Sequence, residues 1–216
     1  MTKPTQKSIA KTVLNTHGET YSQQIGIRLK NAPAPLFQLL NASLLMSARI
    51  ASDQAVEAAT ALRQANLDTP RKMVDTRWQD RVETITDNGY KRFDERGSTQ
   101  LGKTAQFLIK RYDGDLRKLR DEAGNDVAKQ QHLLQQFQGI GPTGADIFLR
   151  EVQGVWSEVY PYADAKVTQA ARKLQLPAEA KSLARLVARV DFPRFVAGLV
   201  RIELANQHYQ ILQHAA

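Results

Sequence analysis

The stretch from Leu133 to Phe148, Leu-Leu-Gln-Gln-Phe-Gln-Gly-Ile-Gly-Pro-Thr-Gly-Ala-Asp-Ile-Phe, constrains this chain more than any other. Leu133, Leu134 and Phe137 fall at helical spacing before Gly139-Ile140-Gly141, and Ile147 and Phe148 resume an apolar pattern after it. That spacing predicts a helix, a tight hairpin and a second helix. Gly139 and Gly141 can take positive φ or let another chain approach the backbone, Ile140 can plug the helix junction, and Pro142 suits the first turn of the next helix. The turn then presents free backbone N–H groups at a helix N-terminus, where the helix dipole favours an anion such as a phosphate. Glycine punctuation also closes helices that bind nothing, so the glycines alone leave an ordinary helix–turn–helix reading equally open.

The rest of the chain reads as helices of varying burial. Pro33 and Pro35 precede an apolar run from Leu36 to Met46, long enough for a helix buried nearly all round. Ser52-Asp53 can cap a second helix to about Ala65, and Thr69-Pro70 opens a short one by the same cap-then-proline logic. Trp78 to Ile85 is a further short helix stopped at Asn88-Gly89, and a longer helical region runs to Tyr112 with weak points at Gly97 and Gly102. Asp113-Gly114 is a turn, and helices over 115–123 and 127–137 lead into the hairpin. Helical patterns return at 163–175, 183–190 and 195–212. No alternating strand pattern, internal repeat or low-complexity segment interrupts this, so the expected fold is all-α, roughly ten helices in two lobes. Its division is a basic tail or loosely attached helix over 1–20, then one two-lobed domain over 21–216. Within that domain lie core helices over 34–138, the hairpin over 133–154 and C-terminal helices over 163–213.

Composition narrows the chemistry. A chain of 216 residues can bury about 70% of its unfolded surface without a covalent staple. There is no cysteine, which excludes disulfides, zinc–thiolate sites and iron–sulfur clusters, and His17, His132, His208 and His214 show no metal-ligand spacing. A cation held by backbone carbonyls would leave no mark in the sequence, and the hairpin is where a monovalent one could sit. No apolar run reaches membrane-spanning length and the first residues lack a secretory signal, so a cytoplasmic protein is expected. The net charge of +8 favours a polyanionic partner, although basic proteins that bind no nucleic acid are common.

The run Phe137-Gln138-Gly139-Ile140-Gly141-Pro142-Thr143-Gly144-Ala145, followed by Asp164, resembles the helix-hairpin-helix (HhH-GPD) DNA glycosylase superfamily that includes endonuclease III. Leu44 to Asp53 looks like that family's leucine-rich helix ending in Ser-Ala-Gln, with Arg49 where many members have glutamine. Gly89-Tyr90 looks like its Gly-aromatic turn. The resemblance spans about residues 34–210, with the hairpin as its most specific part. Two departures carry chemical weight. Bifunctional members carry a lysine where this chain has Thr143, and without that amine Schiff-base strand cleavage loses its nucleophile. The missing cysteines exclude the iron–sulfur cluster of many members and match the cluster-free alkylpurine branch.

The resemblance implies a set of roles. Cleaving an N-glycosidic bond builds oxocarbenium-like charge on the sugar, which a shielded carboxylate stabilises, and Asp164 stands at the family's catalytic position. Asp164 also suits the N-cap of a helix beginning near Ala165, a role compatible with catalysis. Gly139, Ile140, Gly141, Thr143 and Gly144 would form the DNA-binding hairpin. Arg49 is the candidate wedge for the gap left by a flipped base, or else a helix-end arginine paired with a surface acid. Trp156, Tyr160, Tyr162 and Tyr90 are candidate pocket walls, or else plain core. Lys166 reads as a phosphate contact, while Glu151 and Glu158 are nearby carboxylates with nothing in their spacing to recommend them. The expectation is a glycosylase that flips a damaged or mismatched base from double-stranded DNA and hydrolyses its glycosidic bond without lyase activity, with no membrane or protein partner. Its rival is a non-catalytic hairpin protein that recognises bent or abasic DNA.

Overall fold

Local capping sets several helix starts in the computed structural model, which describes residues 4–48, 50–87, 90–91 and 94–215. α1 (Gln6–His17) is capped by Thr5, whose hydroxyl accepts from the Ser8 N–H at 3.1 Å, and α2 (Tyr21–Ile25) opens with a reciprocal Thr20–Gln23 capping box. α3 (Pro33–Met46) is the predicted central helix: from Leu36 to Leu45 every residue but Gln38 is buried. α4 (Ser52–Gln64) packs along it. Its N-cap is Ala51 with no side-chain bond, so Ser52 and Asp53 lie inside the helix and do not cap it. Thr69 caps α5 (Pro70–Asp75), and α6 (Trp78–Thr86) then packs against α7 (Asp94–Tyr112). α8 (Leu116–Ala123) and α9 (Val127–Leu134) start on the aspartate caps Asp115 and Asp126, and α10 (Pro142–Val152) leaves the hairpin. Beyond a loop come α11 (Ala165–Lys173), α12 (Ala180–Leu183), a 3-10 turn at Arg189–Asp191, α13 (Phe192–Ala205) and α14 (His208–His214). Every regular element among the described residues is helical, as the periodicity predicts.

The side chains sort into two cores. One runs from Tyr21 to Val159 and centres on α3, with Leu36, Phe37 and Leu40 fully buried. The other joins α1 to the C-terminal helices through Ile9, Val13, Val167, Phe192, Phe195 and Leu199. The expectation of a loose segment over 1–20 therefore gives way. α1 buries Ile9, Ala10 and Val13 against α13, and a Cβ on Gly198 would sit 2.9 Å from Val13 Cγ1, so the two helices meet closely where a side chain is missing.

Other boundaries differ for similar reasons. Gly97 and Gly102 do not interrupt α7. A Cβ on Gly97 would press on Tyr90 at 2.9 Å and one on Gly102 on the buried Arg81 at 2.9 Å, so both glycines serve packing. The single helix expected over 195–212 is two, because Asn206 takes a left-handed φ of 54° that ends α13. The helix expected around 183–190 is only the short α12 and the 3-10 turn.

Candidate active site

The hairpin is fastened from beneath. Phe137 is buried between Phe107, edge-on at 4.9 Å, and Tyr112, stacked at 6.3 Å. The Ile140 N–H donates to the Phe137 carbonyl at 3.0 Å, and the Ile140 side chain is buried and touches Gly144. Thr104 Oγ1 donates to the Gln138 carbonyl at 3.1 Å, tying the turn to α7. Gly139 takes φ 95°, which favours glycine, and a Cβ there would sit 2.8 Å from Gln100 Cδ and push that amide aside.

Gly141 is a different case. Its φ of −93° and ψ of −170° suit any residue, and a Cβ there would meet nothing within 4 Å. What glycine leaves at this position is open space above the backbone. No side chain caps α10, Pro142 has no N–H, and Thr143 is exposed, so the first N–H groups of α10 have no helical acceptor.

Beside the hairpin lies an open cleft of about 1420 Å³, larger than a typical small-molecule pocket and roomy enough for a segment of polymer. Its walls are the hairpin from Gln135 to Gly144, the end of α3 at Leu44 and Ser47, and a strip of α6 and α7 that includes Trp78, Thr99 and Gln100. Tyr90 lines it as well. Its hydroxyl lies 3.5 Å from the Leu45 carbonyl, and burial raises its pKa to about 12, so it stays a neutral phenol. Arg49 and Gly89 fall outside the described residues.

Asp164 is the N-cap of α11, its Oδ1 accepting from the Lys166 N–H at 2.8 Å and the Val167 N–H at 3.0 Å. The capping role expected from the sequence is thus filled. Its Oδ2 lies 2.6 Å from Arg150 Nε in an ion contact that misses hydrogen-bond geometry, and both side chains are almost wholly buried. Arg150 and Glu151 interrupt the apolar stretch between Ile147 and Val152, which is the signal in the sequence that buried charges there need partners. One turn earlier on α10, Asp146 Oδ1 accepts from the Tyr162 hydroxyl at 2.5 Å and from Gln131 Nε2 at 2.6 Å. Burial raises the pKa of Asp146, and the neighbouring Asp164 pushes the same way against the Tyr162 hydrogen bond. Burial, then the bond to Asp146, raises the pKa of Tyr162.

The remaining aromatic residues lie elsewhere than the sequence suggested. Trp156 is fully buried against Phe148, with Nε1 donating to Asn31 Oδ1 at 3.0 Å, and does not wall the cleft. Tyr160 packs edge-on against Phe192 at 5.4 Å beneath Arg189, within the second core. Tyr162 is committed to Asp146. Of the four aromatic candidates only Tyr90 reaches the cleft, and Trp78, which the sequence did not single out, reaches it too. Lys166 is exposed on the first turn of α11. The two remaining acids have structural partners: Glu151 accepts from the Tyr21 and Ser22 N–H groups, both at 3.0 Å, at the start of α2. Glu158 pairs with Arg120 and Gln130.

No family model matches the sequence, and no curated protein matches it. Solved structures do match over nearly the whole chain. A trapped covalent endonuclease III–DNA intermediate is 16% identical over 92% of this chain and 86% of its own, with a TM-score of 0.51. A thermostable thymine-DNA glycosylase is 13% identical over 91% and 82%, with a TM-score of 0.57. The H. pylori 3-methyladenine DNA glycosylase, solved bound to 1,N6-ethenoadenine, is 12% identical over 93% and 97%, with a TM-score of 0.56. The likeness is one of architecture: this chain has the two-lobed all-α fold of the helix-hairpin-helix glycosylases.

Proposed function

We propose that this chain, folded as a helix-hairpin-helix glycosylase, is a DNA-repair enzyme that hydrolyses the N-glycosidic bond of a damaged or mismatched base in duplex DNA. The observation that carries the reading is the hairpin itself: open space over Gly141 and the uncapped α10 N-terminus stand beside a cleft of polymer size. Backbone N–H groups of this kind hold a phosphate and position a duplex without reading its sequence. A monovalent cation on the hairpin carbonyls would reinforce that contact.

In this reading Asp164 supplies the negative charge that the sugar cation needs. Two N–H groups fix Oδ1, Arg150 fixes the carboxylate in place, and Oδ2 keeps acceptor capacity because no directed hydrogen bond uses it. A hydrolytic outcome follows from Thr143, a hydroxyl where a strand-cleaving enzyme needs an amine. Lys166, two residues beyond Asp164 on the exposed first turn of α11, contacts a phosphate.

One observation favours the second reading, a non-catalytic protein that recognises bent or abasic DNA. Asp164 faces a buried arginine and lies outside the cleft walls. The two readings separate on Asp164→Asn, which keeps the cap but removes the charge. The native protein is expected to turn at least one lesion duplex into an alkali-labile product, and the Asn variant to bind the same duplex without doing so. Native protein that binds lesion duplexes and converts none of them would establish the non-catalytic reading instead.

A further inference from the structure

Trp78 is the first residue of α6 and remains 41% exposed, whereas the other tryptophan, Trp156, is fully buried. An indole left in solvent contributes little to stability, yet this residue is tied once at its backbone and once at its ring. The Ser98 hydroxyl donates to the Trp78 carbonyl at 3.1 Å, and the indole Nε1 donates to Thr99 Oγ1 at 3.0 Å. Thr99 is itself held, its hydroxyl 2.8 Å from the Glu95 carbonyl one turn back on α7. The bond at Nε1 thus orients the ring on the cleft wall, and such pre-orientation favours stacking on an incoming partner. Gln100 follows Thr99 on α7 with its amide close to Gly139, and Gln136 lines the same cleft. Both amides carry donors and an acceptor suited to the edge of a heterocycle.

From this arrangement, and resting on the nucleic-acid reading above, we infer that Trp78 is the stacking surface for a nucleobase displaced from the duplex, with the Gln100 and Gln136 amides reading its edge. The ligand class is a planar aromatic heterocycle with a hydrogen-bonding edge, attached to a nucleic-acid backbone. The role belongs to a residue of α6, outside the hairpin and outside the aspartate network.

Because the chain has two tryptophans and Trp156 is sealed, a ligand-dependent change in indole emission reports on Trp78. Two duplexes serve as probes, one with a single unpaired adenine bulge and one identical but for a tetrahydrofuran abasic residue at that place. Binding is followed separately by the anisotropy of an end label. The bulged-base duplex is expected to quench the emission and the abasic duplex to leave it nearly unchanged. Trp78→Phe should keep the preference for the base-bearing duplex while losing the signal, and Trp78→Leu should lose at least about five-fold of that preference. Equal emission changes with both duplexes, or an undiminished preference in Trp78→Leu, would overturn the inference while leaving DNA binding intact. If neither duplex binds the native protein, the nucleic-acid reading fails and this inference with it.

Discussion

Arg150 and Asp164 form a nearly solvent-free ion pair between α10 and the start of α11, and such pairs are costly to break from one side. Arg150→Met leaves a buried carboxylate without its partner, so the thermal midpoint should fall by the equivalent of about 3–5 kcal/mol. Adding Asp164→Asn to that variant should recover much of the loss in a double-mutant cycle, because a polar neutral cap then replaces a stranded charge. Thr143 makes a separable claim. It is exposed at the mouth of α10, so Thr143→Lys places an amine beside the turn proposed to hold a phosphate. On a duplex the native protein accepts, that variant should give borohydride-trapped covalent complex where the native protein gives little, provided the lysine is desolvated enough to be neutral. The hairpin residues and the Asp164 cap were legible in the sequence because each depends on short-range spacing. The partner of Asp164 was not, since the contact spans α10 to α11 and only the charges Arg150 and Glu151 inside an otherwise apolar stretch hinted at it.

At the scale of the element, the hairpin's two glycines serve different ends. Gly139 has positive φ and the Gln100 amide against it, so Gly139→Ala should cost stability, about 1–2 kcal/mol from backbone strain and displacement of Gln100. Gly141 has neither constraint, so Gly141→Ala should melt like the native protein yet bind every duplex more weakly, since the added methyl stands where a phosphate would approach. Circular dichroism melts beside anisotropy titrations separate the two effects, and similar losses of stability in both would remove the reason for treating Gly141 as an interface residue. The aromatic candidates show where reading by sequence proximity ends. Trp156, Tyr160 and Tyr162 lie between hairpin and aspartate along the chain, but the loop that carries them folds inward, giving Trp156 to one core, Tyr160 to the other and Tyr162 to Asp146. Trp78, on a short helix distant in sequence, reaches the cleft because α6 packs against α7.

For the molecule as a whole, the topology closes the second lobe with its own N-terminus. Removing residues 1–17 would expose the α13 surface that Val13 and Ile9 cover, so the truncated chain should lose the second core's cooperative melt, whereas a loosely attached tail would leave it unchanged. That closure was hidden in the sequence because α1 is short and polar, and its three buried residues gain meaning only against Gly198 and the rest of α13. Exposed lysines and arginines on α1, α11 and α12, among them Lys7, Lys11, Lys166, Arg172 and Lys181, give this lobe a basic surface, which suits the proposed duplex partner. The central claim is hydrolytic base release on that duplex. It is tested most directly by intact-mass spectrometry of oligonucleotides bearing uracil, hypoxanthine, alkylpurines or oxidised bases after incubation with the native protein. The account predicts that at least one strand exchanges its base for a hydroxyl, leaving an unbroken abasic strand, with the free base in solution. Unchanged masses across the panel despite binding, or strand fragments before any alkali, would contradict it.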